Sequence, residues 1–221
     1  MIEVMQSHWI SVLIIIFTLL VTPFYWFLVL PNKKAVVMAW TTAIIASIMV
    51  TINLFEIEDK LGRGGGILIL SMWIMPSLIV WINRDWFRGL DQKPIAGLQI
   101  FRVIGGLFIV EMYRGNIPGS FAWPAGVGDI IVGLFALYLF LKYQEIPRNS
   151  LIVLIVIGLL DFVSAFLFGF TSSEGPAQLF ALGFENQLNL FPTGLIPLYL
   201  VPYAITFHII SLINLKRENK S

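Results

Sequence analysis

LIVLIVIGLLDFVSAFLFGF, the stretch from Leu151 to Phe170, is twenty residues long and carries one charge, Asp161. A helix needs about 20 mostly apolar residues to cross the hydrocarbon core of a bilayer, so this run has the length and composition of a span. Six more segments of the same kind flank it. Upstream lie Trp9–Leu30, Ala35–Phe55, Gly66–Asn83, Ile95–Tyr113 and Trp123–Leu141; downstream lies Gly194–Leu215. Between them fall Pro31-Asn32-Lys33-Lys34, the charged and glycine-rich Glu56–Gly65, Asn83–Pro94, the turn-rich Gly115–Pro118 and Tyr143–Asn149. The sequence predicts an all-α integral membrane protein. Its 221 residues form a single polytopic domain, a bundle of seven transmembrane helices. Strands are excluded because the apolar runs are continuous and longer than barrel strands require.

Composition agrees. Of the residues, 58% are hydrophobic and 12% charged, against about 45–50% and roughly 25% in a soluble domain. The mean hydropathy is +0.87. The net charge of +1 and the scattered basic residues give no surface for nucleic acid. The absence of cysteine removes disulfides, iron–sulfur clusters and thiol chemistry. The opening MIEVMQSHW lacks the basic region of a signal peptide, so the first apolar run reads as a retained helix.

Lysine and arginine set the expected orientation. Ten of the 14 follow the first, third and fifth spans or lie in the tail: Lys33, Lys34, Arg84, Arg88, Lys93, Lys142, Arg148, Lys216, Arg217 and Lys220. Basic loops mark the cytoplasmic side, so the N-terminus is expected outside and the C-terminus in the cytoplasm. The expected location is the plasma membrane, or the inner membrane of a bacterial cell. Trp9, Trp26, Trp40, Trp81, Trp86 and Trp123 fall near the ends of the spans, where amphipathic rings favour the interface. In the longest outer connection, 171–192, Leu179, Phe180, Leu182, Phe184, Leu188 and Phe191 suggest a short helix on the membrane surface, the alternative being an irregular lid over the bundle. No internal repeat is evident.

Charges inside a span are costly and usually face the bundle interior with a partner. Arg102 and Asp161 fall near the middle of the fourth and sixth spans, Asp129 outward of the middle on the fifth, and His208 inward of it on the seventh. Helical spacing places Gln99, Arg102, Gly106 and Tyr113 on one face. It does the same for Ala125, Asp129, Gly133 and Ala136, and for Gly158, Asp161, Ser164 and Ala165. Small residues on those faces allow close approach, so spans four to six should meet around a cluster of Arg102, Asp129 and Asp161. One guanidinium against two carboxylates leaves a surplus negative charge. In a dry interior, one aspartate should then keep a proton or the cluster should hold a small cation. The other reading is a structural pair that fixes helix register.

Glu111, nine residues from Arg102, should lie on the opposite face and pair with Arg114. His208 is expected to pack against a partner such as Ser211. His8 sits at the other mouth, so the two histidines cannot share a metal. Pro124 suits the first turn of the fifth helix, whose positive end would face the outer mouth. Pro197 and Pro202 should kink the seventh span, with Tyr199, Tyr203 and Thr206 as a polar stripe facing a cavity. No span carries the lysine that a retinal Schiff base requires. Ser120 and His208 lie too far apart for a catalytic dyad.

The expected function is that of a small transporter or ligand-binding membrane protein, with or without proton coupling, taking an unidentified small molecule or ion. Its candidate site is Arg102, Asp129, Asp161, Tyr199, Tyr203 and His208, with no metal and no cofactor. The alternative is a non-transporting sensor or an accessory subunit, with a protein partner or a second copy of the chain. An enzyme is least supported, because no nucleophile and base can be paired.

Overall fold

A computed structural model describes residues 8–30, 32–52, 54, 66–173, 177–182 and 193–218. Among them every regular element is helical. The helix α1 (His8–Ile16) widens into a π-helical turn, Phe17–Val21, and resumes as α2 (Thr22–Val29); α3 (Lys33–Thr51) and α4 (Gly66–Ile82) follow. A 3₁₀ turn, Arg84–Phe87, leads to α5 (Gln92–Gly97). That helix tightens into a 3₁₀ stretch, Leu98–Gly106, and returns to α form as α6 (Leu107–Tyr113). Then come α7 (Gly119–Lys142) and α8 (Arg148–Ser172). A second π turn, Ile196–Leu200, runs into α9 (Val201–Glu218).

Six of these stretches are long and apolar enough to cross a membrane: Val12–Val29, Lys33–Thr51, Gln92–Tyr113, Gly119–Lys142, Arg148–Ser172 and Ile196–Leu215. The remaining apolar helix, α4, has 17 residues and a length of about 25 Å. The outer faces are apolar and exposed, with Leu20, Phe27, Val37, Ile74, Ile131 and Leu160 among their side chains. The interior holds Gln99, Arg102, Glu111, Asp161, His208 and Asn214. Polar groups inside an apolar shell are the arrangement that a lipid solvent imposes.

The last span is the pillar of the bundle. Of its apolar window 72% is buried, against 28–39% for the other five long spans. Around it, α3 lays down Ala35, Ala39, Ala43, Ala46 and Val50, one residue per turn, which lets α2 and the second π turn approach closely. Each π turn abuts a proline at the start of the following helix, Pro23 and Pro202, which has no N–H to continue the α pattern. The two turns are tied together: Thr22 Oγ1 donates to Tyr199 Oη at 2.9 Å, and Tyr203 Oη donates to the Thr22 carbonyl at 3.0 Å.

Helix starts are set by local capping. The Asn32 side chain accepts from Lys34 N at 2.9 Å and the Asp91 side chain from Lys93 N at 2.9 Å. The helix α7 begins at Gly119, behind Pro118, so Pro124 lies inside the helix rather than in its first turn. Its positive end is correspondingly remote from Asp129. Trp26 is another correction. It is buried between Phe87, Tyr203 and Phe207 and anchors the core, whereas Trp40, Trp81 and Trp123 are exposed.

Leu179 N and Phe180 N both donate to the Thr171 carbonyl, at 2.8 and 3.0 Å, folding this piece back over the end of α8. The remainder of the expected surface helix, including Phe184, Leu188 and Phe191, lies outside the described residues. So do the loop Glu56–Gly65 and the opening residues before His8.

Candidate functional site

Arg102 sits within the 3₁₀ stretch, nearly sealed from its surroundings. Each of its three guanidinium nitrogens donates a hydrogen bond. Nε donates to Asp129 Oδ1 of α7 at 2.7 Å, Nη2 donates to Asp161 Oδ2 of α8, and Nη1 donates to the Gly158 carbonyl at 3.3 Å. The cation lies over the face of Phe162, 3.9 Å from its centroid. The two carboxyl groups are also close enough to interact with each other. Arg102, Asp129 and Asp161 are therefore brought together as the spacing predicts.

Glycines make the room. A Cβ on Gly105 would strike the Asp129 side chain, and one on Gly128 would strike the Asp161 carboxylate. One on Gly158 would run into His208 and come within 3.0 Å of Arg102 Nη1. Each of three neighbouring helices thus offers a bare backbone patch to a polar side chain of the next. The helical spacing singles out Gly106, Gly133 and Gly158 for close approach, and all three are closely packed, Gly106 on Ile130, Gly133 on the Val103 backbone and Gly158 on His208, but it is Gly105 and Gly128 that face the aspartates.

The 3₁₀ geometry explains the difference. Side chains at i and i+3 eclipse in a 3₁₀ helix, so Gln99, Arg102 and Gly105 stack along one line. The same overwinding moves Glu111. In a continuous α-helix it would lie about 180° from Arg102, but with the 3₁₀ turns the angle falls to about 100°. Glu111 is accordingly buried on the wall of the same cavity as Arg102. It pairs with Arg114 at 3.3 Å, as expected, and also accepts from Asn116 Nδ2 at 2.5 Å. Tyr113, assigned to the Arg102 face by α spacing, is 76% exposed.

His208 packs beside the cluster. Its ring stands edge-on to Phe162, and its Nε2 is buried with no hydrogen-bond partner. Ser211 is not that partner: its hydroxyl donates to Gln92 Oε1 at 2.6 Å. Tyr199 and Tyr203 turn away from the cluster toward Thr22, and with Thr206 they line a separate cavity of about 20 Å³. The freed carbonyls of the kinked last span do find donors. Trp73 Nε1 reaches the Pro197 carbonyl at 2.9 Å, and beyond the kink Gln99 Nε2 also donates to the Ala204 carbonyl at 3.1 Å.

Two cavities, of about 60 and about 70 Å³, meet at Asp129 and Phe162. One water needs roughly 10–15 Å³ by the same measure. The first cavity runs past Phe17, Phe101 and Phe108 to Glu111 and Thr193. The second runs past Trp73, Phe121 and Phe166 to Ser173. Side-chain exposure ranks the three charges: 1% for Arg102, 7% for Asp161 and 16% for Asp129. Asp129 is the member of the cluster that lines both cavities, while Arg102 lines the first. Sequence reasoning missed Phe162, Gly105 and Gly128. The glycines were visible as the pairs Gly105-Gly106 and Gly126/Gly128, but stacking of Arg102 on Phe162 leaves no trace in spacing. Among the described residues no group of three or more histidine or acidic side chains could hold a metal ion.

No curated protein and no solved structure matches the chain. Residues 65–216, from just before α4 to near the end of α9, match the model of a domain of unknown function, DUF8737. The matched region contains the whole Arg102 cluster, both prolines of the last span and most of the cavity walls, and by it the chain belongs to the DUF8737 family.

Proposed function

We propose that this protein is a small membrane transporter or ligand-binding protein whose site is the Arg102–Asp129–Asp161 cluster, with a proton exchanged on the two aspartates. The observation that carries the reading is a buried group of three charges, one positive and two negative, of which Arg102 lines one cavity and Asp129 lines two. Arg102 is a fixed counter-ion held by three hydrogen bonds. One carboxylate remains unbalanced, and a proton or a cation supplies the missing positive charge. His208 and Glu111 are the neighbouring titratable groups, the latter paired with Arg114.

The proposed topology has seven spans, with α4 crossing as the short third one, the N-terminus outside and the C-terminus in the cytoplasm of a plasma membrane. Contacts at one end of the bundle support it. Lys34 lies over Trp86, Lys93 Nζ reaches Gln144 Oε1 at 3.4 Å, and Asn214 Oδ1 accepts from Gly89 N at 2.7 Å. These contacts gather the loops after the first, third and fifth spans beside the end of the last, and these loops hold the excess of lysine and arginine. Glu111 and Ser173, toward which the cavities run, belong to the other end.

The test is proton movement in proteoliposomes under an imposed pH gradient. The wild type should take up protons or a proton-coupled solute, and Asp161→Asn should abolish the pH dependence. Unchanged transport in that variant would remove Asp161 from any role. The three hydrogen bonds from Arg102 to two other helices favour a second reading, in which the cluster only locks helices together in a sensor or accessory subunit. Stable co-purification with another protein, and no flux, would select it.

A further inference from the structure

From the geometry we infer that the site takes a lipophilic organic monocation, an amine with a hydrocarbon or aromatic body, whose ammonium sits at Asp129. The inference rests on the ligand-binding reading above and specifies its ligand.

Three features point to this class. First, an anion meets a cation already paired: each nitrogen of the Arg102 guanidinium donates once, to Asp129, Asp161 and the Gly158 carbonyl, and its face is covered by Phe162. Glu111, the other charge on the walls, already has Arg114 and Asn116. Second, the cluster as a whole carries one negative charge more than positive, and Asp129 is its most accessible member. A single positive charge placed there restores neutrality, which a low-dielectric site strongly favours. Third, the walls beyond Asp129 are mostly apolar and include aromatic rings, with Phe17 and Phe101 in one cavity, Trp73, Phe121 and Phe166 in the other, and Phe108 and Phe162 in both. Such walls bind hydrocarbon by burial, and their ring faces also attract an ammonium. A hydrated inorganic cation would find one carboxylate and no further oxygen cage, so it gains little from these walls.

The experiment compares three probes of one shape: phenylbutylamine, phenylbutanol and phenylbutyrate. Each is titrated by equilibrium dialysis into full-length protein in phosphatidylcholine nanodiscs, with empty nanodiscs subtracted. The amine should bind at least about tenfold more tightly than the carboxylate, since like charges in a desolvated site repel strongly, with the alcohol between them. Asp129→Asn should erase the preference for the amine while leaving the affinity for the alcohol. Equal affinity for all three probes, tighter binding of phenylbutyrate, or an amine preference that survives Asp129→Asn would each overturn the inference. If that variant does not fold, the wild-type ranking alone still decides. The two proposals fail separately. Charge-selective amine binding without proton movement sinks the carrier but keeps the ligand class. Asp161-dependent proton movement without amine preference does the reverse.

Discussion

Arg102 is among the largest side chains that the bundle encloses completely, and each of its three nitrogens donates to another helix. Removing one partner of a buried ion pair costs about 3–5 kcal/mol, because the charges left behind are uncompensated. Arg102→Met should therefore destabilise the protein by about that amount, measured as unfolding in mixed micelles of rising dodecyl sulfate fraction. Neutralising both aspartates in the same chain should recover part of the loss. If Arg102→Met alone were as stable as the wild type, the charges would not be held in a dry interior. The three charges were legible in the sequence because a charge within an apolar run is rare and demands a partner. Their neighbours were less so. Tyr199 and Tyr203 stand on the buried side of the last span as expected, but helical spacing does not say which neighbour that side meets, and they face Thr22. His208 was legible as buried, and its neighbours Gly158 and Phe162 were not.

At the scale of the helix, the glycines under the cluster make a sharp contrast possible. A methyl group at Gly128 would overlap the Asp161 carboxylate, whereas one at Gly169, which lines the second cavity, would touch Phe121 at an ordinary 3.4 Å. Gly128→Ala should cost about 1–3 kcal/mol through overpacking. Gly169→Ala should be neutral or stabilise by up to about 1 kcal/mol through helix propensity. Equal effects of the two in the same unfolding assay would mean that α7 and α8 are not in contact at Asp161. Span boundaries could be read to within a few residues from the apolar runs and their breaks. The internal form of the spans could not. Nothing in QIFRVIGG announces 3₁₀ winding, and that winding decides that Gly105 rather than Gly106 faces Asp129 and that Glu111 turns toward the cavity.

For the whole molecule, the chain's lack of cysteine makes its topology directly measurable. Single cysteines replacing Lys34 or Lys142 should react with a membrane-impermeant maleimide only after the cells are opened, and one replacing Arg114 should react in intact cells. Labelling of all three in intact cells would discard the orientation. The most buried span has a different consequence, for assembly. It leaves the ribosome after the other spans described, so Trp73, Gln99, Thr22 and Gly89 all wait for acceptors or donors that lie beyond residue 193. Until it inserts, the earlier spans are a ring around an unfilled slot, with their polar groups facing one another or lipid. Closure is thus a late event, and a nascent chain stopped short of α9 is a natural target for membrane quality control.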